Sequence, residues 1–191
     1  MSLVLRSGPV VEPVSLSEVK SYLKVDGAEE DLLIASLILT SRLHIESALG
    51  LGLITQSYKL MLDNWPRSGA IRIPIRPVQA VEEIRVRDAD GVATVLDAAI
   101  YDVDVASAPA RIAFVDGVPP KPGRSVNGIE VDIVAGYGAA ATDVPAPIRQ
   151  GLMMLVAHWY EHRDPVEIGS PRTAIPMAVS NLIKPYRLVR L

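Results

Sequence analysis

The sequence predicts an α+β protein, an α-helical bundle core carrying an inserted antiparallel β region. Three observations carry that expectation. Residues 1–53 repeat apolar side chains at helical spacing, residues 54–140 break into short runs of period two, and helical spacing returns over 141–164. Residues 165–191 then form a linker and a C-terminal tail.

The first helix is announced by "PVSLSEVKSYLKV", where Ser15 and Glu18 make a capping box and Val14 can staple onto Val19. Leu16, Val19 and Leu23 then share one face. A longer second helix is expected in "DGAEEDLLIASLILTSRLHIESALGLG", with Asp26 and Glu29 as cap and reach-back and Gly50 or Gly52 as the stop. It is apolar over much of its circumference (Leu33, Ile34, Leu37, Ile38, Ile45), which predicts enclosure between other elements.

The middle reads as strands: "ITQSYKLMLDNW", "IRIPIRPV", "VEEIRVRDADGVATVL", "YDVDV", "RIAFVDG" and "GIEVDIVAGYG". "DADG" marks a hairpin turn. Pro74, Pro77, Pro109, Pro119, Pro120 and Pro122 confine many of these pieces to edges and loops. Asp143 and Pro145 suit the start of the last long helix, whose stripe is Ile148, Leu152, Leu155 and Trp159. "PVEIGSPRTAIP" is a linker by composition, and "AVSNLIKPYRLVRL" is a short amphipathic segment interrupted by Pro185.

Composition narrows the function classes. Aromatic residues are only 5% of the 191, so the core must rest on Leu, Ile, Val and Ala. A net charge of −3 gives no global basic footprint for gripping nucleic acid. With no cysteine, disulfides and thiolate metal sites are excluded. The N-terminus does not read as a signal peptide. The most apolar segments are broken by Ser, Arg, His or Glu, so no membrane span is expected. The expected protein is soluble and cytosolic.

Four patterns invite a chemical reading. His158, Glu161 and His162 follow the H-x-x-E-H order of a zinc hydrolase, with two ligands one helical turn apart and a glutamate to work on bound water. That chemistry needs a third ligand from a separate element, yet past His162 the only acids are Asp164 and Glu167 in the adjoining linker. A half-buried helix flank explains both histidines without a metal. Gly136, Gly138 and Ala141 outline G-x-G-x-x-A, but two prolines precede the helix and no strand pattern follows it, against a dinucleotide site.

Asp102 and Asp104 share a strand face and could hold a cation or exchange protons, but alternation with Val103 and Val105 fits a solvated face. No metal, cofactor or catalytic residue is therefore expected. The tail after Glu167 has no acid. Arg172, Lys184, Arg187 and Arg190 interleave there with Ile183, Tyr186, Leu188 and Leu191, as in a solvated end or a partner-docking arm.

The order of "EPVSLSEVKSYLKVDGAEEDLLIASLI", "GLITQSYKLMLDNWP", "YDVD", "VAGYGAAATDVPAPIRQGLMMLVAHWYEHRDPV" and "LIKPYRLVRL" resembles the head–tail connector (adaptor) proteins of long-tailed phages. More narrowly it is similar to the connector-like subgroup of phages, prophages and gene transfer agents, over nearly the whole chain. The resemblance implies a structural virion protein at the neck, free in the host cytoplasm before assembly. It would form a ring, dodecameric on assembly, below the portal protein, extend the DNA channel without sequence-specific binding, and meet a stopper or tail-completion protein. It also implies no catalytic residue, places "HWYE" in a bundle helix, and favours the docking-arm reading of the tail. The rival readings are a zinc-dependent hydrolase and another neck or tail-completion protein.

Overall fold

A computed structural model describes residues 1–115, 119–162 and 176–188. The chain divides into two units and crosses between them three times: Met1–Pro9 with Thr55–Tyr137, and Val10–Ile54 with the described residues from Gly138 onward.

The first unit is all β. Its strands are β1 (Ser2–Ser7), β2 (Gln56–Leu62), β3 (Ala70–Arg72), β4 (Val78–Arg87), β5 (Ala93–Val95), β6 (Tyr101–Asp104), β7 (Arg111–Phe114) and β8 (Ile129–Ala135). They form a five-stranded sheet, β1-β2-β8-β4-β5, and a three-stranded sheet, β3-β7-β6, with every pairing antiparallel. Alternation decides what faces inward: Tyr58, Leu60 and Leu62 of β2, Ile129, Val131 and Ile133 of β8, and Ile84 and Val86 of β4 share one core with Ile71 and Ile112 of the smaller sheet. The β4–β5 hairpin turns at the expected place, where the Asp88 carboxylate accepts from the backbone N–H groups of Asp90 and Val92, and Gly91 takes φ +83°.

β1 corrects the reading of residues 1–53 as helical. Ser2–Ser7 pairs with β2, so Met1–Pro9 belongs with the sheets. As an edge strand it turns only Leu3 toward the core and leaves its other residues exposed, so its sequence carries no period-two signal.

The second unit holds α1 (Leu16–Leu23), α2 (Asp31–Leu49), α3 (Ala146–Glu161) and α4 (Met177–Ile183). The α1 capping box forms as read: Ser15 Oγ accepts from the Glu18 N–H, and Glu18 reaches back to the Ser15 N–H at 2.8 Å, a cap of about 1 kcal/mol. Ser15 chiefly, with Arg149, holds the Glu18 carboxyl below its ordinary value.

The start of α2 differs from the sequence reading. Lys24 at φ +57° and Gly27 at φ +85° spend the Asp26–Glu29 segment on a turn, and α2 begins only at Asp31, whose carboxylate pairs with Lys20 at 2.5 Å. Its end is as expected, with Gly50 left-handed and donating to the Glu46 carbonyl.

α3 buries Ile148, Gly151, Leu152, Leu155 and Val156. Gly151 is where α4 approaches: a Cβ there would lie 3.4 Å from Ile183 and 3.8 Å from Val179.

α2 also departs from the expected enclosure. Ile34, Ile38, Ile45 and Leu49 are buried within the unit, but Leu32, Leu33, Leu39 and Leu43 remain exposed. By length and composition alone it could cross a membrane, which the sequence reading did not foresee. A core helix passes the same test, and this one gives its inward face to its own unit.

Candidate functional site

The H-x-x-E-H residues lie at the C-terminal end of α3. The rings of His158 and His162 are 4.6 Å apart, and His162 Nδ1 donates to the His158 carbonyl at 2.8 Å. That bond closes the helix end and occupies one of the two nitrogens of His162. No group of three or more His, Cys, Asp or Glu able to hold a metal occurs among the described residues. Asp164 and Glu167 lie outside them. Trp159 is half-buried and stands edge-on to His44, with ring centroids 5.8 Å apart, so the stretch serves packing.

The glycines of "GYGAAA" have local reasons. Gly136 takes φ +138°, donates to the Pro77 carbonyl and accepts from Gln79 Nε2 at 2.8 Å. Gly138 leaves room for Asp143, whose carboxylate would lie 2.1 Å from any Cβ there and accepts the Ala140 N–H. These contacts shape a strand exit, and the dinucleotide outline is accounted for without a ligand.

Asp104 does not pair with Asp102. It accepts from the backbone and hydroxyl of Ser107, and from Arg111 Nε at 2.9 Å. The two Ser107 hydrogen bonds, with Arg111 helping, lower its carboxyl to about 2. It is an acid committed to a turn.

The tail residues fall apart. Ile183 is buried against α3 and belongs to the unit's own core. Lys184, Arg187 and Leu188 are exposed and Tyr186 is half-buried, whereas Arg172, Arg190 and Leu191 lie outside the described residues. Lys184–Tyr186 forms a single 3₁₀ turn at Pro185.

Two features stand beyond the sequence reading. The first is a charge network on the face of β2, β8 and β4 opposite the core. Lys59 Nζ meets Glu130 at 2.6 Å, Glu130 meets Arg87 at 2.7 Å, and Arg85 joins Asp132 at 2.6 Å and Glu83. Burial pushes the Glu130 carboxyl up, but Lys59 and Arg87 outweigh it and hold it below its ordinary value. Alternation of Lys59 with Tyr58 and Leu60, and of Glu130 and Asp132 with Val131, was the available signal, though pairing across strands distant in sequence is invisible without the register.

The second is α2, whose Arg42 and Glu46 point inward and whose Leu32, Leu39 and Leu43 point outward. Arg42 and Glu46 are 5% and 9% exposed, joined to each other and, through Arg42, to Glu12, each at 2.8 Å. Burial lowers the basicity of Arg42, but Glu12 and Glu46 more than restore it. Leu32, Leu39 and Leu43 are 89%, 43% and 50% exposed.

Among protein families, the model for head completion proteins matches residues 12–189. The chain belongs to the head completion protein family. No curated protein sequence matches it. Among solved structures, it is similar to a chain in the neck of an empty gene transfer agent (GTA) particle computed with C6 symmetry, at TM-score 0.85 and 27% identity, over 100% of this chain and 97% of that one. A chain in the virion of the native gene transfer agent matches at TM-score 0.84 and 28% identity with the same coverage. A chain in the native GTA neck computed with C12 symmetry matches at 0.78 and 28%, over 98% of this chain and 97% of that one. The α+β fold and the connector resemblance read from the sequence agree with this family.

Proposed function

We infer that this chain is a structural subunit of the particle neck, a head–tail adaptor that assembles as a ring below the portal protein, extends the DNA channel and presents its far side to a stopper or tail-completion protein. The observation that carries the reading is the match over nearly the full length of both chains to proteins in GTA necks computed with C6 and C12 symmetry. It acts by assembly, without catalysis.

For the tail, the exposed Lys184, Arg187 and Leu188, with Arg172, Arg190 and Leu191, are the proposed portal-docking residues, while Ile183 anchors α4. Removal of 172–191 would strip Val179 and Ile183 from the core, so the informative truncation is 187–191. The test is electron microscopy of the chain mixed with its portal. An added ring on the portal supports the reading, and a portal left bare contradicts it.

A further inference from the structure

We propose that the outward leucine face of α2 is the contact between adjacent copies of this chain in the ring. The proposal rests on the ring reading above and names the surface that closes the ring. Leu32, Ser36, Leu39, Leu43 and Ser47 follow one another at steps of four, three, four and four residues, all exposed along one face. Steps of three and four with leucine and small residues are the pattern of a helix that receives another helix, apolar knobs alternating with room for close approach. From Leu32 through Ser41 the helix has no charged residue, and its Arg42 and Glu46 are turned into its own unit.

Among the described residues, no other helix leaves three leucines exposed on one face. A ring of identical subunits needs two different faces on every copy, repeated at each junction. In a ring of the kind the matched necks with C6 and C12 symmetry point to, the occupant of this face is a second copy of the chain.

The chain has no cysteine, so a single introduced thiol labels cleanly. Leu39→Cys carrying a photoreactive benzophenone is assembled into necks as a mixture of isotopically light and heavy chains, irradiated and digested. Mixed light–heavy cross-links from position 39 are expected. Cross-links only to the portal or another neck protein, or none in an intact ring, would overturn the proposal and leave the ring reading standing. A wild-type chain absent from necks would overturn both. In parallel, Leu39→Glu with Leu43→Glu is expected to keep the circular dichroism of the free chain and to lower its copy number in necks by roughly tenfold or more. Normal incorporation of that variant contradicts the proposal. So does wild-type chain that floats with anionic phospholipid vesicles and loses flotation in the variant, because the face would then be a membrane surface.

Discussion

On the outer face of β2, β8 and β4, Lys59 and Glu130 are buried charges whose partners sit on adjacent strands, whereas on α2 Leu32, Leu39 and Leu43 are apolar side chains left in solvent. Both reverse the usual sorting of side chains. The sheet resolves its reversal internally, since each of those carboxylates and cations has a partner on this chain. The helix does not: the same residues that make α2 apolar all round leave one side without a neighbour in its own unit. A network satisfied within the chain speaks of stability, and an apolar face unsatisfied within it speaks of assembly.

The largest effect should come from opening the closed network. Glu130→Ala leaves Lys59 buried beside the more distant Asp132, at 3.6 Å, and removes the partner of Arg87. A loss of about 3–5 kcal/mol is expected, read as a fall in the urea midpoint. Replacing both partners, Lys59→Met with Glu130→Met, should recover much of it, because the buried Lys59 charge is then gone and the more exposed Arg87 keeps its bond to the Gly91 carbonyl.

Acid should act on the same network and, separately, on the Asp104 turn. The folded Glu130 carboxyl lies below its ordinary value and the Asp104 carboxyl at about 2, so both favour the fold above the unfolded carboxylate range. That contribution should be lost as pH falls from about 4 toward their folded values. Glu130→Gln should flatten the acid limb of a urea-midpoint profile.

A smaller effect, of opposite sign, is expected in the helical unit. Gly151→Ala fits at ordinary contact with Ile183 and should stabilise α3 by up to about 1 kcal/mol, whereas Gly151→Leu should displace α4. Thermal melts of the two variants separate these outcomes. The smallest effect should fall on the open surface: Leu39→Gln should change the stability of the isolated chain by no more than about 0.5 kcal/mol.

Much of the fold was legible because local signals agreed with tertiary packing. The Ser15–Glu18 box, the Gly50 stop and the Asp88–Gly91 hairpin each have a cause within a few residues. Pairing across long separations was not legible: β1 is bound to β2, and Lys59 to Glu130, only through the sheet register. The Asp26–Glu29 pattern was a credible cap that Gly27 converted into a turn. For function, the H-x-x-E-H stretch drew attention to α3 although its side chains serve a helix end and packing. The more informative helix was α2. Its all-round hydrophobicity was visible in sequence, but which side stays uncovered depends on how α1 and α3 pack against it.

The most direct measurement is cryo-electron microscopy of a neck containing this chain. A ring below the portal is expected in which Leu32, Leu39 and Leu43 of each copy are covered by the next. A ring in which those leucines face solvent or lie solely against the portal would contradict the assignment of α2, and a neck without this chain would contradict the functional reading itself.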